Sequence, residues 1–212
     1  MSPSEGTNAA KRIGTLGTMA EAEGNDGARF YERHPPRDLT EDVVGGPALR
    51  IGHGYDLHRL EPRRPLGRGR QLILGGVRLN HPRGPVARSD GDALFHAVTD
   101  ALLGAVCEPD IGQLFPDSDP QHEAADSRVF LVEADRRVHA AGWFIANVDA
   151  TVVLEWPKLS PHKIEMCANL ADALRLPTGR VNIKGKTHER VDAVGQGRAV
   201  EAHAVVLLTR QP

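Results

Sequence analysis

The stretch Ile51-Gly52-His53-Gly54-Tyr55-Asp56-Leu57-His58 carries three candidate metal ligands in close succession. In a β-strand, successive side chains point to opposite faces. Asp56 and His58 then share one face, and His53 points the other way. A carboxylate and an imidazole two residues apart can grip one metal ion from one side. Catalytic zinc usually takes three protein ligands and keeps a fourth position open, so a third ligand is needed. Candidates lie in Ser89-Asp90-Gly91-Asp92-Ala93-Leu94-Phe95-His96 and on to Asp100. Further on, Gly185-Lys186-Thr187-His188-Glu189 combines a glycine, a cation, a hydroxyl and a hard oxygen ligand. That mixture suits a phosphate with Mg²⁺. It is not a Walker loop, which needs a glycine-rich run before the lysine. Singly, each motif is weak: Asp-x-His also occurs at ordinary strand edges, and Lys-Thr-x-Glu segments are common on surfaces.

Hydrophobic periodicity predicts the elements that must carry these groups. Residues 49–57 read as a strand, and 61–70 as an exposed loop. Residues 71–74 and 77–79 flank Gly75-Gly76 and read as a hairpin. Residues 81–88 read as a loop. Asp90-Gly91-Asp92 opens a helix, with Ser89 or Asp90 as N-cap. Leu94, Ala97, Val98, Ala101, Leu102 and Ala105 form its apolar stripe. His96 falls off that stripe, which presents it on a polar face between Asp92 and Asp100. Either aspartate is placed to orient its second nitrogen. Residues 108–120 form a loop whose polar groups contact hydroxyls and phosphate or build a turn. Ser127 caps a helix that runs to about residue 141 and ends at Gly142. Residues 144–154 form a strand, with Val148, Ala150 and Val152 alternating against Asn147, Asp149 and Thr151. A turn at 156–161, a helix at 162–174 and a strand at 180–184 follow. Gly195 to Arg198 turns the chain into a last strand, 199–208. The pattern predicts an α/β (α+β) sandwich with one mixed sheet covered by helices.

Residues 1–48 are rich in Gly, Ser, Asn, Glu and Ala without periodicity, and acids outnumber Lys and Arg there. Such a segment buries too little to offset its ordering entropy, so it reads as a disordered N-terminal extension to a domain spanning 49–212. Its acidity argues against an organellar targeting peptide. The whole chain has 212 residues, is 40% hydrophobic and carries a formal charge of −2. One core domain is expected, and neither nucleic acid nor an anionic membrane is an expected partner. No apolar run reaches the length of a membrane span, and no short apolar signal core opens the chain. Cys107 and Cys167 sit in apolar helical contexts, which reads as two buried thiols in a reducing compartment. Cytoplasmic localisation is the default expectation.

Four motifs in register, Gly-His-Gly-Tyr-Asp-x-His, Ser-Asp-Gly-Asp-x-x-x-His, Asp-Ile-Gly-x-x-Phe-Pro-Asp and Lys-Thr-His-Glu, give the chain a resemblance to the 2-C-methyl-D-erythritol 2,4-cyclodiphosphate synthases of the non-mevalonate isoprenoid pathway. The resemblance implies a homotrimer with active sites between subunits. It implies cyclisation of 4-diphosphocytidyl-2-C-methyl-D-erythritol 2-phosphate with release of CMP. By resemblance, Asp56, His58 and His96 are zinc ligands, and Asp56 and His58 also line the substrate site. Asp110 and Gly112 hold the methylerythritol, with Phe115 and Asp117 in the loop beside it. Leu154, Pro157, Lys158, Leu159 and Ser160 form a cytidine pocket, completed by Gly185. Lys186 to Glu189 form the phosphate segment, where Thr187 steadies the transition state and Glu189 binds Mg²⁺ or Mn²⁺ with the diphosphate. Two positions depart from the family pattern. Arg88 stands before Ser89, beside the reacting phosphates, where histidine is common. Gln196 stands where a phosphate-facing arginine is often found, with Arg198 two residues on. A zinc-dependent phosphate-ester hydrolase is the alternative chemistry for the same metal ligands, and a non-catalytic trimeric binding protein is a third, weaker reading.

Overall fold

The computed structural model describes residues 49–116 and 123–210. The expected extension, 1–48, lies outside these residues. Its strands are β1 (Leu49–Pro62), β2 (Ile73–Leu74), β3 (Val77–Arg78), β4 (Arg83–Pro85), β5 (Phe144–Val153), β6 (Val181–Lys186) and β7 (Ala199–Thr209). Its α-helices are α1 (Ala93–Ala105), α2 (Ile111–Leu114), α3 (Arg128–Ala140), α4 (Lys163–Ala173) and α5 (Asp192–Gly195). Five strands form one sheet in the order β4-β1-β7-β5-β6, and β2-β3 is a separate hairpin. β5 and β6 pair in parallel across the α4 connection, and the other pairs are antiparallel. The mixed sheet covered by helices is as expected.

Alternation along β1 sorts its residues as the sequence predicts. Gly52, Gly54 and Leu60 are buried, Asp56 and His58 are half-buried, and His53 is exposed on the opposite face. Gly52 and Gly54 are what bring α1 close. A Cβ on Gly52 would stand 1.8 Å from the Ala101 carbonyl oxygen, and one on Gly54 1.9 Å from that of Ala97. Only glycine permits that approach of helix backbone to strand.

Several expectations need correction. β1 runs on to Pro62 because its last three residues, Leu60 to Pro62, pair with β4, in the 81–88 segment read as loop. The 61–70 loop is therefore partly structured, and Arg70 folds inward. The N-cap of α1 is Asp92, not Ser89 or Asp90. Its carboxylate accepts from Leu94 N–H and Phe95 N–H, both at 3.1 Å. It also accepts from Gly75 N–H (2.9 Å) and Gly76 N–H (2.7 Å), tying the hairpin turn to the helix start. Both glycines have positive φ, 58° and 72°, as a tight two-residue hairpin demands. α1 has no solvated polar face at its start: residues 93–99 are all buried. α3 and the hairpin cover what a lone helix would expose, and a helix apolar nearly all round is a core helix. Cys107 is exposed, because it lies past the end of α1 at φ 60°, and Cys167 is only half-buried on α4.

Candidate metal centre and phosphate pocket

Two elements supply the metal ligands. β1 offers Asp56 and His58 from its helix-facing side, and the first turns of α1 offer His96. One donor atom from each lies within 4.8 Å of the others. Asp56 Oδ2 is 2.9 Å from His58 Nδ1 and 3.2 Å from His96 Nδ1. Burial would push the Asp56 carboxyl up, but its contacts with His58 and His96 outweigh it and hold the group far below the usual carboxylate range. The cluster thus offers a fixed negative charge. His58 Nδ1 is buried and, despite its nearness to Asp56, makes no hydrogen bond. A buried ring nitrogen without a hydrogen bond is costly, and a cation beside Asp56 would satisfy it. On this ground the three residues fit a metal ion.

The second nitrogen of His96 is not oriented by Asp92 or Asp100, as the sequence suggested. Asp92 is committed to amide donors, and Asp100 accepts from Ile111 N–H at 2.8 Å. Instead His96 Nε2 lies 2.8 Å from Ser127 Oγ and 3.3 Å from Ser89 Oγ. Ser127 stands at the start of α3 but makes no capping bond. Its hydroxyl donates to Asp90 Oδ1, and Asp90 also accepts from Ser127 N–H at 3.2 Å. The single hydroxyl proton being committed to a carboxylate, His96 Nε2–H must donate to Ser127. In the neutral ring that tautomer turns the Nδ1 lone pair toward Asp56, where a metal would bind. Ser127 is the functional group the sequence reading missed. Its position was noted, but a serine before a helix reads first as a cap.

A pocket beside the cluster is lined by His58, Arg88, Ser89, His96, Gly112 and Phe115, with Phe130 among its other walls. Asp110 caps α2 by accepting from Gln113 N–H at 2.9 Å, so the 108–120 loop contains a helical turn. Asp117 lies outside the described residues. A second pocket is lined by Leu154, Lys158, Leu159, Ser160, Gly185, Lys186, Thr187 and Glu189, joined by Glu155 and Lys163, which the sequence reading did not select. Pro157 does not line it. Thr187 Oγ1 donates to Glu189 Oε1 at 2.7 Å. Arg198 donates to Gln196 Oε1 at 2.6 Å, so this arginine is engaged by its neighbour. Most of the sequence-selected residues thus fall into two groups, while Asp56, Asp110 and Pro157 line neither pocket, and no residue lines both.

Residues 49–209 match the YgbB family. A chloroplastic 2-C-methyl-D-erythritol 2,4-cyclodiphosphate synthase of Oryza sativa subsp. japonica is 53% identical over 184 residues, 87% of this chain and 80% of that one. The IspF of Plasmodium falciparum, solved as a CDP complex, is similar in structure with a TM-score of 0.68 at 33% identity, covering 79% of this chain and 100% of that chain. The bifunctional IspDF of Campylobacter jejuni gives a TM-score of 0.72 at 34% identity over 78% of this chain. This chain spans only 43% of that bifunctional protein. With its whole described fold inside the matched span, the chain belongs to the YgbB family.

Proposed function

We propose that this chain is a phosphorus–oxygen lyase that converts 4-diphosphocytidyl-2-C-methyl-D-erythritol 2-phosphate to 2-C-methyl-D-erythritol 2,4-cyclodiphosphate and CMP, in the non-mevalonate route to isoprenoids. The observation that carries it is the Asp56–His58–His96 cluster in a chain whose half-identical relative bears that enzyme's name. The hydrolase alternative has no support among the relatives matched.

An oxygen of the 2-phosphate attacks the β-phosphorus, the bond to the CMP phosphate breaks, and CMP leaves with the electron pair. The nucleophile is already ionised at neutral pH, so no general base is needed. Both partners are anions, so the task is positioning and charge stabilisation. Asp56, His58 and His96 would hold zinc, and Glu189 Mg²⁺ or Mn²⁺. Bound there, these ions supply Lewis acidity and charge neutralisation to the phosphates. Asp110, Gly112, Phe115 and Asp117 hold the methylerythritol. Arg88 and Ser89 face the reacting phosphates, with the Arg88 fork in place of a histidine. Lys186 and Thr187 face the diphosphate. Leu154, Pro157, Lys158, Leu159, Ser160 and Gly185 enclose the cytidine.

The homotrimer is part of the same proposal. The sheet face away from the helices exposes Ile51 (72%), Tyr55 (44%), Leu57 (46%) and Val205 (44%). A cluster of large apolar side chains on one face marks an interaction surface. Separate metal and nucleotide pockets are completed when a neighbouring copy brings one against the other. Among the described residues, no helix is long and apolar enough to cross a membrane. Cytoplasmic placement rests on the acidic composition of residues 1–48, and the rice relative is chloroplastic.

Incubation with the cytidyl substrate, Zn²⁺ and Mg²⁺, followed by phosphorus NMR, tests the reaction. Cyclic diphosphate and CMP in equal amounts are expected. Inorganic phosphate, or unchanged substrate, would sink the proposal.

A further inference from the structure

Arg88 stands beside two charged residues outside the sequence motifs, Arg70 and Glu123. Arg70 is largely buried, with 16% of its side chain exposed. Its Nε donates to the Ala87 carbonyl and its Nη2 to the Arg88 carbonyl, both at 2.9 Å. Ala124 N–H donates to the Arg88 carbonyl at 2.8 Å, and Asp90 N–H to that of Ala125 at 2.9 Å. The backbone carrying Arg88 and Ser89 is therefore clamped between Arg70 and the 123–127 segment. Glu123 sits at the junction. Its Oε1 is hydrogen-bonded by Arg70 Nη2, and its Oε2 lies 3.5 Å from Arg88 Nε. That second contact is an ion pair without a hydrogen bond. Among the described residues, the Arg88 guanidinium donates no hydrogen bond, so its fork stays available to the pocket it lines. Two guanidiniums share one carboxylate, which leaves a net positive charge for an anion.

We propose that Arg70 and Glu123 are positioning residues for Arg88: Arg70 anchors Glu123, and Glu123 holds the Arg88 guanidinium at the mouth of the metal-centre pocket with its N–H groups free for a substrate phosphate. The inference rests on the reading of Arg88 as a phosphate-facing group. Without the anchor, a long side chain in a loop samples solvent, and ordering it at the transition state costs rotamer entropy. Glu123 sets a direction without consuming the donors that the phosphate needs.

The test is a double-mutant cycle on the full enzyme with the cytidyl substrate, in which kcat and KM are read separately. Glu123 is half exposed, so Glu123→Gln folds and keeps its zinc. Glu123→Gln is expected to lower kcat about tenfold with little change in KM, the scale of a modest misplacement of a reacting group. Arg88→Ala is expected to lower kcat by about 100-fold or more. In the Arg88→Ala background, Glu123→Gln is expected to change kcat less than about twofold, because the residue it positions is gone. If Glu123→Gln is silent while Arg88→Ala is slow, the positioning role is overturned and the Arg88 reading stands. Equal effects of Glu123→Gln in both backgrounds also overturn it, because they assign Glu123 to the loop alone. If Arg88→Ala is itself silent, the phosphate-facing reading falls and takes the positioning role with it.

Discussion

His96 is held at both ring nitrogens, by Asp56 on one side and by the Ser127–Asp90 relay on the other. Burial pulls its pKa down, but the Asp56 contact and the charges of Asp92 and Asp90 raise it on balance above the ordinary 6.5. In the metal-free protein the protonated ring is therefore favoured, and that contribution to stability is present below pH 6.5 and lost as pH rises through the raised value. Metal binding needs the neutral ring. Zinc affinity is expected to fall steadily as pH drops through a window that opens above 6.5, measured by competition with a chromogenic chelator. Asp56→Ala, His58→Ala and His96→Ala should each weaken zinc by more than about 100-fold, beyond the 10–100-fold usual for outer-shell groups. His53→Ala should keep its metal, since His53 faces away. Elemental analysis of dialysed protein checks all four, and full metal in the three ligand variants would remove the assignment. Arg88 offers a separate test. An arginine does not titrate near neutrality, so Arg88→His should retain activity and add an ionisation near neutral pH to the kcat profile. An Arg88→His profile that overlays the parent's would argue that the side chain is away from the reacting phosphates.

At the scale of elements, Asp92 joins three pieces: the start of α1, the Gly75-Gly76 turn and, through them, the position of His96. Burial pushes its carboxyl up to about 6, against the pull of the amides that donate to it. A folded-state value above the ordinary 3.8 means that ionising Asp92 costs stability. The cost is absent below about pH 4, grows up to about pH 6 and is constant beyond. A two-unit rise corresponds to roughly 3 kcal/mol. Asp92→Asn keeps one acceptor oxygen and cannot ionise. The stability difference between parent and variant, from urea unfolding at pH 4.5 and 7, should shift in the variant's favour at the higher pH. The weakened cap costs the variant about 0.5–2 kcal/mol at either pH, and by pH 7 the ionisation cost it escapes outweighs that loss. A pH-independent difference would mean that the amides dominate and Asp92 ionises normally.

At the scale of the whole molecule, the exposed sheet face and the two separate pockets are the observations behind the proposed trimer. Ile51→Asp places a charge on the proposed interface without touching the core, as Ile51 is exposed in the single chain. Light scattering should show trimer for the parent and monomer for this variant, with activity lost alongside. A trimeric Ile51→Asp protein, or an active monomer, would separate the sheet face from assembly. Deleting residues 1–45 should leave the melting temperature and turnover unchanged, since segments this poor in periodic apolar residues bury little. A loss of trimer or activity on deletion would make the segment structural.

The sequence by itself determined the alternation that puts Asp56 and His58 on one face of β1 and His53 on the other. That is a two-residue period, independent of what packs against the strand. It also determined the Gly75-Gly76 hairpin, the apolar stripe of α1 and the strands that carry Val148, Ala150 and Val152, because each is a local pattern. Tertiary structure alone decided the partners of polar groups. Ser127 reads locally as a cap, and only the docking of α3 on α1 gives its hydroxyl to His96. Asp92 and Asp100 share a helical face with His96 in sequence, yet nearby amides claim both carboxylates. β4 was invisible because three residues with proline and glycine form a strand only when β1 supplies the ladder. Arg70 and Glu123 are 53 residues apart, and no period links them. Burial and hydrogen-bond satisfaction are properties of the packed chain. A spacing rule can name a ligand, but it cannot say which neighbour will hold it in place.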